Sequence, residues 1–325
     1  MRVYTPPRTK TRMRIIQLLC AINMRVTMSQ EVIENTFSEF LNKICTIQHY
    51  QRVIKANTRS EIESLSKEIE YWKDKPEEEK KSHGSNLNLF TYICPYDGHH
   101  KPYNSLRTSV EEQVEIVLNQ KNKQYQWLLV DAYEMFEDYL ESLYAAIGFL
   151  DNNFWSASDF GDISISEIKE QDLSWFQKQA IAKKGTPRSI LTRFRKQVKG
   201  FETLERNNAT DSDLRLTISL VENLRHVIVH KNGQVGDKDE FIKKILKESC
   251  LYKDNKRESN AISNIECFLG NKGKYLNQII LVEQPTFVSG GFSMHINLHE
   301  NLVGELAAYA ELIKTETIKL MYPSA

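Results

Sequence analysis

The chain has little of what interrupts or staples a fold. Over 325 residues it has only 13 glycines and 8 prolines. So few turn-forming residues argue against a sandwich, a barrel or a many-stranded sheet and favour long helices. The five cysteines (Cys20, Cys45, Cys94, Cys250 and Cys267) are scattered, and no two have CxxC spacing. An odd, unpatterned set excludes a disulfide framework and suits a reducing cytoplasm, with each cysteine read as a small buried hydrophobe. Charge imbalance is also missing. There are 43 Lys and Arg against 43 Asp and Glu, so a uniformly basic nucleic-acid binder is excluded and any such contact must be a local patch. The longest apolar run, Leu143 to Leu150, has eight residues. A membrane span needs about 20, so no membrane association is expected. No Walker loop, dinucleotide-binding glycine motif or Gly-x-Ser-x-Gly elbow occurs, and neither do internal repeats.

What is present reads as helix. With 41% hydrophobic residues the chain can bury a core, and its length suits two units or one large one. Residues 1–28 carry Arg2, Arg8, Lys10, Arg12, Arg14 and Arg25 and no acid. They read as a basic arm, flexible or an upstream extension, since Met24 and Met28 are alternative starts. Ile15 to Ile22 is too short for a secretory signal and contains Gln17. Residues 29–123 read as an N-terminal helical region. Apolar residues recur at helical spacing over 29–55, and Thr58-Arg-Ser-Glu61 has the form of a capping box opening a second, antiparallel helix to Lys73. A charged linker (73–86) and an irregular stretch (87–107) follow.

From Ser109 a long helical region is expected, broken near Lys121-Asn122 and strongly amphipathic from Gln126 to Leu150. Residues 124–325 form the main domain in this reading. Helices are expected at 167–184, from Pro187 to Arg206, from a cap at Asp211 or Ser212 to His230, at Asp239–Leu246 and at His299–Met321. Asn232-Gly233 is a helix-stop signal. Two short strands are expected within 278–298 around a turn at Ser289-Gly-Gly291. The expected class is mainly α: a helical bundle with a small β-hairpin near the C-terminus.

The chemistry concentrates in LRLTISLVENLRHVIVHKNG (214–233). At about 100° per residue, Glu222, His226, His230 and Asn223 share one narrow strip of an otherwise apolar helix, with Arg225 at its edge. Arg offers a fork of donors to a phosphate, and His exchanges protons near neutral pH. The bare Arg-x4-His spacing is common by chance; its setting gives it meaning. Arg225-His226-Val-Ile-Val-His230 resembles the Arg-polar-x3-His signature of the HEPN superfamily. The acidic, aromatic helix DAYEMFEDYLESL (131–143), the Ile190-Leu-Thr-Arg-Phe-Arg-Lys segment and the HKNG turn are similar too. The resemblance covers roughly 124–325 and leaves 1–123 outside.

That resemblance implies a dimerising helical bundle with metal-independent endoribonuclease activity, needing no cofactor, in a toxin or anti-phage defence role. By position, Arg225 would hold the scissile phosphate and His230 would transfer a proton. His226 would take the polar place after the Arg, and Glu222 would orient its neighbours. The implied partners are RNA, a second copy of the chain, and an antitoxin or defence-system protein. Some members have a Tyr two residues after the last His; Asn232 stands there in this chain, which argues against target-tyrosine modification. An alternative stays open: a non-catalytic helical module that binds RNA or a partner protein through the same strip.

A substrate path needs positive charge. Residues 183–199 hold Lys183, Lys184, Arg188, Arg193, Arg195, Lys196 and Lys199 and no acid, and they are the expected RNA-binding segment. Metal readings are weaker. His99-His100 lacks partners at zinc-like spacing, and His295 and His299 straddle a strand-to-helix junction without an HExxH pattern. The carboxylates of 131–141 spread along a helix face and fit a solvated or dimer-contacting surface.

Overall fold

The computed structural model describes residues 8–287 and 293–322. Among them the fold is mainly helical, with a two-stranded sheet near the C-terminus as expected and a second one near the N-terminal end. Helix α1 spans Arg8–Lys73. No Gly or Pro lies within it, and Pro76 follows its end. The antiparallel pair expected from 29–73 is therefore one continuous helix. Thr58 is buried mid-helix rather than capping, and Arg59 and Glu63 pair across one turn at 2.8 Å. Residues 1–7 of the expected basic arm lie outside the described residues; from Arg8 the backbone is helical.

Helix α2 (Glu77–His83) leads into strands β1 (Ser85–Ile93) and β2 (His100–Ser109), an antiparallel hairpin where an irregular stretch was expected. Its turn uses Gly98 at φ +68°, a left-handed conformation that costs glycine little. The hairpin is exposed on both faces. Phe90 stacks on Tyr103 at 5.9 Å, while Leu87, Leu89 and Ile93 are open to solvent.

Helix α3 (Val110–Leu150) starts at a Ser109–Glu112 capping box and runs without the expected break. Lys121 and Asn122 look like a break in sequence because they are polar, yet they point into the protein. Asn122 donates to the Ile279 carbonyl and accepts from Leu281 N–H, both at 2.8 Å. Lys121 pairs with Glu283 at 2.5 Å, and Lys55 of α1 reaches the same carboxylate at 3.0 Å. Burial opposes the charge on Glu283, but these two ammonium groups hold its carboxyl down at about 2.

The remaining helices are α4 (Ile165–Ile168), α5 (Leu173–Ala182), α6 (Arg188–Gln197), α7 (Phe201–Leu204), α8 (Leu214–Lys231), α9 (Lys238–Glu248), α10 (Asn255–Glu266) and α11 (Leu298–Met321). The helix expected to reach Arg206 stops at Gln197: Val198 is already extended, and Gly200 at φ +83° then turns the chain into α7. Helix α10 was not expected. Strands β3 (Glu283–Phe287) and β4 (Ser293–Asn297) form the expected hairpin, whose turn at Ser289-Gly-Gly291 lies outside the described residues.

Helix α1 runs antiparallel to α3. Ile33, Phe37, Phe40, Ile44 and Ile47, spaced by three or four, join one core with α3, α5, α6, α8, α9 and α11. Phe40 stacks on Tyr139 at 5.0 Å, and Phe136 stacks on Tyr309 at 5.8 Å. The core thus extends across residue 124 into α1. A smaller cluster farther along joins Leu65 of α1 to Val110 and Val117 of α3. Of the cysteines, Cys94 is buried as expected; Cys45, Cys250 and Cys267 are exposed free thiols, a correction to the reading of all as core residues.

Candidate functional site

Helix α8 carries the site, and both its ends are fixed by short-range chemistry. Asp213, rather than Asp211 or Ser212, caps the start by accepting from Leu216 N–H at 2.9 Å. Asn232 ends the helix in the left-handed region at φ 52°, and Gly233 follows at φ +75°. A Cβ at Gly233 would sit 2.7 Å from the amide end of the Gln126 side chain, so a larger residue there would be strained in its backbone and would have to push that side chain aside. Lys123 of α3 donates to the Asn232 side chain at 2.8 Å. Gly233 accepts from Ile279 N–H at 2.9 Å and Val235 donates to the Asn277 carbonyl at 3.0 Å, which stitches the turn after His230 to the 277–279 segment.

The inner face of α8 (Leu216, Leu220, Val221, Leu224, Val227 and Ile228) is buried; of the polar strip, His226 and His230 are exposed, Glu222 and Arg225 half-buried, and Asn223 is buried. Arg225 and His226 line one small cavity of about 180 Å³, together with Glu137 and Tyr133 of α3, Thr186, and Lys244 of α9. Arg225 is about one-third exposed and pairs with Glu134 at 3.1 Å, while its Nε is buried without a hydrogen-bond partner. Pairs this exposed contribute about 0–1 kcal/mol, so an incoming phosphate can displace Glu134. His226 and His230 are both exposed, with ring centroids 4.8 Å apart. His230 does not line the cavity; it stands outside it, against the His226 ring. Partial burial, and then the charges of His230, Lys244, Lys231 and Arg225, hold the His226 pKa below the usual imidazole value. Its neutral form is favoured near pH 7.

Glu222 does not orient the histidines through any hydrogen bond. It pairs with Arg188 at 2.8 Å, and the other arm of Arg188 reaches Glu248 of α9 at 2.7 Å. Glu248 also accepts from Asn223 at 2.6 Å. The Glu248 carboxylate therefore ties α6, α8 and α9 together beside the cavity, which Glu222 and Asn223 also line.

Glu137 is the site residue that sequence reasoning missed. Burial pushes its carboxyl up to about 7, against the pull of Arg225 and with help from Glu141, Glu222 and Glu134. A carboxyl titrating near neutrality in a cavity with an arginine is equipped for proton transfer. The available signal was the stripe Glu134, Glu137 and Glu141, spaced by three and four on the α3 face that meets α8.

The expected RNA-binding segment divides. Lys183 pairs with Asp159 in a half-buried setting. Arg193 donates to the carbonyls of Asn153, Phe154 and Trp155. Arg195 forms a two-pronged pair with Glu205 at 2.7 and 2.8 Å, and the Glu205 side chain is fully buried. With Arg188 engaged as described, Lys184, Lys196 and Lys199 remain as exposed cations.

The histidines outside the strip stand apart from it. His299 is buried against Tyr125 at 5.3 Å, and burial lowers its pKa to about 4. Neither of its ring nitrogens has a partner. His295 is exposed on β4; His99 sits in the hairpin turn, and His100 opens β2. Among the described residues, no group of three or more His, Cys, Asp or Glu is arranged to hold a metal ion, and no helix is long and apolar enough to cross a membrane. Comparison with family models, curated proteins and solved structures finds no match for the chain.

Proposed function

We propose that the chain is a metal-independent endoribonuclease of HEPN type, acting as a cytoplasmic homodimer in a toxin or anti-phage defence role. One observation carries this reading: Arg225 and His226 border the same cavity as a carboxyl that titrates near 7, with His230 against His226. The reaction moves one proton on and one off. A base takes the proton from the RNA 2′-OH, and the oxygen attacks the adjacent phosphorus. The P–O5′ bond breaks, an acid protonates the leaving 5′-oxygen, and a 2′,3′-cyclic phosphate remains. Arg225 binds the non-bridging oxygens as charge builds on them. His230 transfers a proton; His226, its pKa lowered, lies against it in the neutral form, and Glu137, which titrates near 7, shares the cavity with His226. A second copy adds a facing set of the same groups, which is the reason to expect a twofold assembly.

The test is cleavage of labelled RNA by purified protein in chelator, followed by end-group analysis. The expected products carry 2′,3′-cyclic phosphate and 5′-OH ends. Arg225→Ala and His230→Ala should each reduce the rate by about 100-fold or more. Full cleavage by either variant overturns the proposal.

One observation favours a second reading. Arg225 and Glu222 already have intramolecular partners in Glu134 and Arg188, as expected of a strip that binds without cleaving. RNA or protein binding without any cleavage, and unchanged in His230→Ala, selects that module reading.

A further inference from the structure

We infer that the cleft between α8 and α9 binds a single-stranded RNA backbone, and that Tyr252 offers a stacking platform for an unpaired base beside its lysines. For its place in a reaction this rests on the ribonuclease reading; the binding itself does not. The cleft has a volume of about 460 Å³, within the range of ligand pockets. Lys231 from the end of α8 and Lys243, Lys244 and Lys247 from α9 line it, all exposed. The α9 residues fall at i, i+1 and i+4, so their ammonium groups share one side of the helix. Two carboxylates oppose them. Asp237 is occupied in capping α9, accepting from Glu240 N–H at 2.9 Å, and Glu240 itself stands on the rim. Four lysines against two acids leave the cleft positive. Among the described residues, only Lys244 of the four has a carboxylate within 4.0 Å, that of Glu248.

Continuity gives the cleft a direction. Asn223, His226 and Lys244 line both this cleft and the cavity that contains Arg225 and Glu137. A strand lying along the lysines therefore arrives at the arginine. Next to the lining lysines, and outside the lining itself, lies Tyr252: Lys243 and Lys247 sit over its ring at 5.9 and 5.6 Å from the centroid, and Lys253 adds a third cation at 5.6 Å. The ring is 38% exposed. An exposed aromatic among lysines is the combination that holds single strands without sequence preference: cations on phosphates and a ring under a base.

The experiment measures binding of a fluorescent 2′-O-methyl oligoribonucleotide, which lacks the attacking hydroxyl, to the full chain over a salt series. Lys243→Glu with Lys247→Glu should weaken binding by about tenfold or more and flatten the dependence of log K on log salt by about 1.4, the loss of two single-strand phosphate contacts. Tyr252→Ala should weaken binding about 5-fold or more and leave the salt slope unchanged. A triple variant, Lys184→Glu, Lys196→Glu and Lys199→Glu, should weaken binding less than the α9 double variant does. Thermal melting checks that each variant is folded. The inference is overturned if the wild type binds no oligonucleotide, if the α9 double variant binds like the wild type, or if the triple variant loses as much as the double. If binding depends on Lys243 and Lys247 but natural RNA is never cut, the cleft stands and the ribonuclease reading falls. If RNA is cut through Arg225 and His230 while the double variant binds normally, the outcome is reversed.

Discussion

Two basic segments flank α8 in sequence, and they use their charge in opposite ways. Residues 183–199 are the denser, with seven cations and no acid, yet four of the seven are engaged by partners elsewhere in the chain. Residues 231–253 are mixed with acids and inconspicuous in sequence, yet Lys231, Lys243 and Lys247 stand open along one cleft. The difference lies in the distance to carboxylates and carbonyls contributed by remote parts of the chain. Glu205, Asp159, Glu222 and the 153–155 carbonyls come from outside the first segment and meet it only on folding. Local charge density measures what a segment could attract, not what remains available.

The comparison can be broken most sharply at Arg195. Its partner Glu205 is fully buried and also accepts from the Tyr309 hydroxyl. Arg195→Ala strands that carboxylate and should cost about 3–5 kcal/mol in denaturant unfolding; a loss below about 1 kcal/mol would mean the segment's charge is not structural. Next comes Glu137→Gln, which probes a charge the fold holds at a disadvantage. The carboxyl titrates higher folded than unfolded, so between about 4.5 and 7 the folded state binds the extra proton, and stability falls as pH rises through that window. The glutamine variant should match the wild type at pH 4 and exceed it by on the order of 2 kcal/mol at pH 8, since partial contact with water leaves only part of the shift effective. Equal melting temperatures across that range would contradict the assignment. Gly233→Ala should cost about 1–2 kcal/mol by forcing an L side chain into the left-handed region against Gln126. At the small end, Lys184→Ala, Lys196→Ala and Lys199→Ala, and equally Lys243→Ala, should each change stability by less than about 0.5 kcal/mol. A larger change at Lys243 would place α9 among the structural cations and erase the contrast.

Much of the helical framework is legible from sequence because its signals are local. The Asn232-Gly233 stop, the apolar face of α8 and the 3.6-residue rhythm of α11 act within a turn or two of themselves. Failures arise where meaning depends on distant atoms. Thr58-Arg-Ser-Glu61 has a cap's composition, but a cap forms only where the helix must start, and nothing before it in α1 breaks the run. Lys121-Asn122 reads as an interruption until Ile279, Leu281 and Glu283 supply its partners. The β1–β2 hairpin had an Asp97-Gly98 turn and alternating Leu87 and Leu89 to announce it, but neighbouring Pro and His residues obscured the pattern. For the site, the strip on α8 follows from helical geometry alone. Glu137 does not, because its shift requires burial against α8 that no local pattern encodes.

The stitching of the chain just past His230 governs how that residue can move. Backbone bonds to Asn277 and Ile279, with Lys123 and Gln126 pressing from α3, leave the last turn of α8 no independent way to fray. Its amides should exchange hydrogen only when the surrounding helices open together. Whatever reorientation the exposed imidazole undergoes is then a matter of side-chain torsions on a fixed pivot, fast and short in reach, rather than a swing of the main chain.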